Sequence, residues 1–336
     1  MNSKPFVLIL CGGRSLRLWP LSQYKSKNFI DVFSFSPLEL TIKRFLKVTS
    51  AENIFLAASC KEKKALAKIK LIPQKNIIFE PQSKNTAAAV LLALQHFKKY
   101  PQKNLIITPV DNLIEKEKEF YKSLDKALRA SCLGSICTLG IKPLEPTPNF
   151  GYIQIQGRGV KGIFDVQRFI EKPKPDKAAK LISQGNCFHN SGMFISLVGT
   201  LISEYKKYYA QYNCFVEKFD AKKINLLYEE IPDIPFDKAI MEKSKKVKLV
   251  KSGFSWKDFG NWQTIYEILS KDKNGNAGCG KYFAWESKNN LIYLDNPKKK
   301  TLILGLKDIF FVDTKDYTLI ANRAQLNNLK SALKII

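Results

Sequence analysis

The sequence predicts an α/β fold: a Rossmann-like, mostly parallel sheet flanked by helices, with a small β-rich unit at the C-terminal end. Three observations carry this expectation. Short apolar runs alternate with stretches of helical periodicity through the first two-thirds of the 336 residues, as in strands covered on both faces and joined by crossing helices. The first run, Val7-Leu8-Ile9-Leu10, ends in Gly12-Gly13, at the point where such sheets receive ligands. After a loop rich in Gly, Asn, Asp and Lys, the pattern changes to short β-like runs.

Strands are expected at Phe6–Leu10, Ile54–Ala58, Ile77–Phe79, Leu105–Val110 and Ile136–Leu139, and helices at Leu38–Val48, Lys61–Ile69, Ala87–Lys99 and Glu117–Ala130. Their alternation is what predicts parallel pairing. From about Tyr152 the reading changes. Tyr152–Ile155 and Val166–Ile170 are expected as strands of a smaller, partly antiparallel layer holding a second ligand, with helices at Asp176–Ser183 and Leu197–Tyr208. The loop Lys271–Gly280 marks the boundary between an expected domain at 1–270 and a small one at 271–336. The latter holds β-like runs at Leu291–Leu294, Leu302–Leu304, Ile309–Val312 and Thr318–Ile320 and a closing helix, Ala324–Leu333.

Composition excludes several classes. Apolar content of 45% supports a real core. No apolar run reaches the ~18 residues of a membrane span, and the first apolar run ends in Cys-Gly-Gly-Arg rather than a cleavage site, so no leader is expected. The seven cysteines are odd in number and scattered without a CxxC pair, and there are two histidines. Neither a zinc site nor a disulfide framework is expected, and a reducing cytoplasm fits. The net charge of +25 comes from 55 basic residues, of which seven are Arg and hence 48 Lys, spread along the whole chain. Without a basic stripe or a nucleic-acid-binding motif, no nucleic-acid partner is expected. Such a field still attracts phosphorylated small molecules.

Local chemistry points the same way. Gly12 and Gly13 let backbone N–H groups approach an anion, and Arg14, Arg17 and Lys27 would neutralise it. The dinucleotide and P-loop patterns are absent, and a glycine pair after a strand also serves as a plain tight turn. Asp111 follows the run Leu105–Val110, so its carboxylate would emerge at the ligand edge and suit a hard cation; a turn or cap Asp is the alternative. Asn85 or Thr86 would cap the Ala-rich helix that follows. Taken alone, Glu171-Lys172 reads as a surface pair and the tryptophans of Trp256–Trp262 as core.

In combination these segments resemble a known family. Gly12-Gly13-x-x-x-Arg17-Leu18-Trp19-Pro20-Leu21 followed by Lys27 is similar to the N-terminal signature of sugar-nucleotide pyrophosphorylases, and Arg17–Ser22 to that of the mannose-1-phosphate guanylyltransferases. Glu80-Pro81-x-x-x-Asn85-Thr86-Ala87, Gly151-Tyr152-Ile153, Phe169-Ile170-Glu171-Lys172-Pro173, Asn190-Ser191-Gly192-Met193-Phe194, the Asp237–Lys243 element and Trp256-x-Asp258-x-Gly260-x-Trp262 follow in family order. The resemblance implies a nucleotidyltransferase fold whose C-terminal unit is β-helix-like, and the reaction of GTP with mannose 1-phosphate to GDP-mannose and pyrophosphate. It implies catalytic roles for Arg17, Lys27, Asp111 and Asp258, with Mg²⁺ on Asp111 and Asp258. Gly12, Gly13, Arg14, Glu80 and Asn85 would bind the nucleotide, and Gly151, Glu171, Lys172 and Asn190 the sugar phosphate. A homodimer is compatible with it, and no isomerase domain of the cupin type is expected. The chain departs from the family at Ser15 and Leu16 (Gly and Thr in the family), Ser26 (Pro), Asn112 (His) and a shortened segment around Asn149. Those departures keep two alternatives open: another base or sugar 1-phosphate, or a non-catalytic GDP-sugar-binding protein.

Overall fold

The computed structural model describes residues 4–12, 16–24, 30, 36–147, 150–217, 219 and 223–335. Seventeen strands are defined among them. The first ten are β1 (Phe6–Leu10), β2 (Ile54–Ser59), β3 (Ile77–Glu80), β4 (Asn104–Pro109), β5 (Asn112–Glu115), β6 (Ile136–Ile141), β7 (Tyr152–Val160), β8 (Ile163–Ile170), β9 (Cys187–Leu197) and β10 (Val247–Lys251). The other seven are β11 (Ser255–Asp258), β12 (Ala277–Cys279), β13 (Lys281–Trp285), β14 (Leu291–Leu294), β15 (Lys300–Leu304), β16 (Ile309–Asp313) and β17 (Thr318–Asn322).

The chain divides into two compact units. The first contains Met1–Gly12, Thr41–Val110 and Ile114–Trp256; the second contains Gly13–Leu40, Asp111–Leu113 and Lys257–Ile336.

The first unit is built on a nine-stranded sheet in the order β3-β2-β1-β4-β9-β6-β10-β8-β7. The pairs β3–β2, β2–β1, β1–β4 and β6–β10 are parallel, while β9 runs against β4, β6 and β7, and β8 against β10 and β7. Seven strands thus share one direction and only β8 and β9 oppose it, so the expected mostly parallel α/β sheet is found. Four of the five residues of β1 are buried, which is why it reads as an unbroken apolar run. The helix Asn85–Phe97 buries nine of its residues in the same core. Phe120, Leu124 and Ala127 form the buried stripe of the helix Glu117–Ser131, at the three- and four-residue spacing of a helix face.

Several elements differ from the sequence expectation. β7 and β8 extend the edge of the main sheet instead of forming a separate layer. The helix expected over 61–69 shrinks to a 3₁₀ turn, Cys60–Glu62, and one α-helical turn, Lys63–Leu66. Gln74 Nε2 donates to Ile69 O at 2.7 Å and takes up a carbonyl that a longer helix would leave exposed at its end. The closing helix is likewise a 3₁₀ segment, Arg323–Asn328, and a short turn, Leu329–Ala332. Its Asn327-Asn328 pair is a poor helix former.

In the second unit Leu18, Trp19, Leu21 and Ile30 share one core with Phe259, Trp262, Ile265, Tyr293, Phe310 and Val312. β12, β14 and β16 stack in parallel, with β17 antiparallel at the end, and β13 and β15 form a parallel ribbon. Successive chain turns lay strand on strand, giving the expected β-rich C-terminal sheets.

Candidate active site

Within the second unit, Arg17, Asp111 and Asp258 come from three separate segments. Arg17 lies on the 3₁₀ turn Leu16–Leu18, held down by the fully buried Leu18. Asp258 ends β11, and Trp262 opens the helix after it. The Trp262 Nε1–H donates to Trp19 O at 2.8 Å. One buried indole therefore ties the arginine turn to the Asp258 segment. The next residue, Phe259, donates its N–H to Asp111 O at 2.9 Å, which draws the backbone of the two acidic positions together. Arg17 Nη2 donates to Asp258 Oδ2 at 3.2 Å. The Asp258 side chain is 19% exposed, and Asp111 is buried at 6%.

Gly260 shows how tightly this is built. A Cβ there would lie 2.8 and 3.1 Å from the two Asp258 oxygens and 3.2 Å from Arg17 Nη2. Only glycine leaves the carboxylate and guanidinium where they are. The family-like Gly between Asp258 and Trp262 thus has a local steric reason. Of the other N-terminal positions, Gly12 has no atom of the described residues within 4 Å of a Cβ position. Gly13, Arg14, Ser15 and Lys27 lie outside the described residues.

Asp111 and Asp258 are hard oxygen donors suited to Mg²⁺. Among the described residues no group of three or more His, Cys, Asp or Glu could hold a metal. Two carboxylates fit a cation that keeps waters and ligand phosphates as its other partners.

The first unit gathers a second set. Asn190, on β9, donates from Nδ2 to Asp237 Oδ1 at 2.8 Å and accepts at Oδ1 from Thr138 Oγ1 and Gly192 N, both at 3.1 Å. Its own N–H donates to Gly151 O at 2.9 Å. The β6–β9 register shifts between Thr138 and Gly140, opposite Asn190, a bulge of the kind that re-aims side chains beside sites. Glu171 follows β8, and its N–H donates to Glu242 Oε1 at 2.9 Å. Its side chain is 8% exposed and pairs with Lys172 Nζ at 3.0 Å. A Cβ on Gly151 would stand 2.7 Å from Glu171 Oε2, so glycine makes room for a carboxylate here too. Lys172 takes φ +43°, a left-handed backbone unusual for a side-chain-bearing residue.

Asp237 begins a π-helical turn, Asp237–Met241. Burial, and secondarily the Glu171 charge, push its carboxyl up to about 7. Thr138 and Glu242 are the members of this set that sequence reasoning missed. The Asp237–Lys243 stretch was the only signal for Glu242, and nothing in the sequence marks Thr138.

Glu80 ends β3 at 5% exposure. Tyr228 Oη donates to its Oε2 at 2.6 Å, and burial raises its carboxyl to about 7. Asn85 does not cap its helix in the expected way. It adopts φ +56° and accepts from the adjacent Thr86 N–H at 3.0 Å. Thr86 Oγ1 instead accepts from Phe236 N at 2.8 Å, and Lys84 Nζ donates to Ile231 O at 2.8 Å. The loop 80–87 is thus pinned to the segment 228–236 by bonds that leave the helix without a side-chain cap.

A family profile described as nucleotidyl transferase matches residues 6–275. The alginate biosynthesis protein AlgA of Pseudomonas aeruginosa is 31% identical over 349 residues, covering 97% of this chain and 71% of that protein. A mannose-1-phosphate guanylyltransferase of Escherichia coli is 28% identical over 354 residues, covering 99% and 76% respectively. Among solved structures, a Thermus thermophilus protein described as mannose-1-phosphate geranyltransferase superposes with a TM-score of 0.87 at 25% identity, over 99% of both chains. A family match over most of the chain, together with a relative 31% identical over 97% of this chain and 71% of its own length, places the chain in the nucleotidyl transferase family of enzymes.

Proposed function

We propose that the chain transfers GMP from GTP to mannose 1-phosphate, giving GDP-mannose and pyrophosphate. The observation that carries this reading is the Arg17–Asp258 pair seated over Gly260, with the neighbouring Phe259 N–H bonded to the Asp111 carbonyl. With a divalent cation on the carboxylates of Asp111 and Asp258 this would be a charge arrangement fit for a polyphosphate, in a chain whose relatives, matched over 99% and 100% of this chain and 76% and 74% of their own length, include proteins named mannose-1-phosphate guanylyltransferase. An oxygen of the sugar phosphate would attack the α-phosphorus as the bond to the β-phosphate oxygen breaks. No covalent intermediate with the chain is required, so catalysis reduces to positioning and charge neutralisation.

The chain's own groups divide that work. Arg17 would exchange its bond to Asp258 for one to a phosphate oxygen. Asp111 and Asp258 would hold Mg²⁺, which when bound supplies positive charge to the phosphates. Lys27 and the backbone of Gly12, Gly13 and Arg14 would hold the triphosphate. Glu80 and Asn85 border the base in this reading. Gly151, Glu171 and Asn190 would receive the sugar hydroxyls, and Lys172 its phosphate.

Pyrophosphate release measured over a matrix of nucleoside triphosphates and sugar 1-phosphates tests this directly. GTP with mannose 1-phosphate should give the highest kcat/KM. Asp111→Asn and Asp258→Asn should each lower turnover by about a hundredfold or more with unchanged thermal unfolding. A different preferred pair would move the specificity. Nucleotide binding without release for any pair would make the chain a binding protein, and near-normal turnover of either variant at low Mg²⁺ would sink the metal assignment.

A further inference from the structure

A second cleft opens within the first unit, between the helix Glu117–Ser131 and the hairpin of β7 and β8, with Lys248 of β10 also lining it. Its volume is about 670 Å³, within the roughly 300–1,000 Å³ of small-molecule sites. Lys122, Lys126 and Arg129 reach it from one face of the helix, four and then three residues apart, the spacing that stacks side chains along a helix. The hairpin turns on Lys161 at φ +52° and Gly162 at φ +83°, the left-handed pair of a tight two-residue turn. Arg158, Val160 and Lys161 form this second wall. Lys126 spans the gap between the walls: its Nζ lies 3.7 Å from where a Cβ on Gly162 would stand.

Basic side chains alone make no site in a chain of net charge +25. The distribution of charge in this cleft is what selects a ligand. Six basic side chains line it against two carboxylates, and both carboxylates are engaged, Asp125 by Arg129 and Asp165 by Lys248. Lys122 pairs with Glu119 at 2.8 Å. Among the described residues Lys126, Arg158 and Lys161 are in no ion pair, so cations from both walls share one concavity without a counter-charge. An anion relieves that repulsion, and the planar fork of Arg158 suits phosphate oxygens. The rest of the lining is apolar: Ala130, Ile163, Leu133 and Val160, the last two 87 and 73% exposed. The ligand that satisfies both surfaces carries a phosphate and an apolar body, and a concave site favours a discrete molecule over a flat lipid surface. The cleft also stands apart from the sugar-phosphate set. β8 carries Asp165 near its start and Glu171 just past its end, and at about 3.3 Å per residue these lie on the order of 20 Å apart. We propose that this cleft binds a soluble phosphate ester with an apolar body, at a site distinct from the candidate active site.

Isothermal titration of the whole chain with naphthyl phosphate, in about 0.05 M salt to limit screening, tests it. One molecule should bind per chain, and excess GTP should not displace it. Inorganic phosphate, which lacks the apolar body, should bind about tenfold or more weakly. Lys126→Glu and, separately, Arg158→Glu should each weaken naphthyl phosphate about tenfold or more, because each reverses a charged partner. Leu133→Ser should weaken naphthyl phosphate severalfold and leave inorganic phosphate unchanged. All three side chains are exposed, so circular dichroism and melting temperature should stay at wild-type values and distinguish lost binding from misfolding. Absence of binding overturns the proposal, as does an affinity that both charge reversals leave intact. Displacement by GTP also overturns it and places the ester in the active site. Association with phosphatidylglycerol vesicles, abolished by Arg158→Glu, in a chain that does not bind the soluble ester would overturn it as well and assign these cations to a lipid surface.

Discussion

At the scale of single residues, the candidate site depends on side chains that are absent as much as on those present. Gly260 and Gly151 each stand where a Cβ would press on a carboxylate, Asp258 in one unit and Glu171 in the other. The atoms in the way at Gly260 are the far ends of Asp258 and Arg17, which can swing aside without disturbing the backbone. Gly260→Ala should therefore leave stability within about 1 kcal/mol of wild type while lowering turnover by roughly tenfold or more. A thermal melt paired with pyrophosphate release checks this, and a variant that unfolds early or keeps full turnover contradicts it. The pattern Trp256-x-Asp258-x-Gly260-x-Trp262 made these positions legible, because the chemistry and the turn are encoded within seven residues. The Arg17–Asp258 bond spans 241 positions and has no local signal. The same holds for Thr138 on Asn190, delivered by the β6–β9 register, and for Glu242 on the Glu171 amide, delivered by the π-helical turn Asp237–Met241; a linear reading contains neither pairing.

At the scale of elements, what the sequence exposes is burial, and what it hides is pairing. β1, β2 and β4 are plain in the sequence because central parallel strands must be apolar throughout. β9 is not, although it is eleven residues long and sits in the middle of the sheet. His189, Asn190, Ser191 and Gly192, the last at φ +72°, interrupt its apolar run and make it read as a loop. The second unit uses buried asparagine for a comparable purpose. Asn290 donates from Nδ2 to Leu306 O at 2.9 Å and to Asn276 Oδ1 at 3.0 Å, and its Oδ1 accepts from Ile309 N at 2.8 Å. Asn276 in turn donates to Ser287 O at 2.9 Å. Asn276 and Asn290 are each 1% exposed, so their amides replace backbone partners that the turns between strands cannot supply. Asn290→Ala should strand an N–H and a carbonyl away from water, destabilising this unit by about 2–4 kcal/mol. Chemical denaturation followed by tryptophan fluorescence should show it; a loss below about 1 kcal/mol would mean that water or a rearranged turn satisfies these groups.

At the scale of the whole molecule, packing joins what composition separates. The loop Lys271–Gly280 is conspicuous in the sequence, yet nothing local announces that segments 13–40 and 111–113 belong with 257–336; that follows from long-range burial of Leu18, Trp19 and Leu21 with Phe259 and Trp262. Stability against pH also sums over the molecule, and its contributions have opposite signs. The net charge of +25 falls as pH rises toward the isoelectric point, which relieves self-repulsion and favours the fold. His189, lowered by burial to about 4, also gives stability that rises with pH, between about 4 and 6.5, because there the unfolded chain binds the extra proton. Glu80 and Asp237 act the other way. Burial, as the first cause for each, raises both to about 7, so between about 4 and 7 the folded chain holds protons that the unfolded chain has lost, and stability declines as pH rises through that window. Comparing one variant with wild type at two pH values cancels the shared contributions. Glu80→Gln keeps an acceptor for Tyr228 and removes the charge. It should match wild type near pH 4, where the carboxyl is protonated in both states. At pH 8 it should be more stable by about 1–3 kcal/mol, read as a melting temperature a few degrees higher. Equal melting temperatures at both pH values, or a gain of the same size at both, would mean that Glu80 titrates as an ordinary carboxylate in the folded chain.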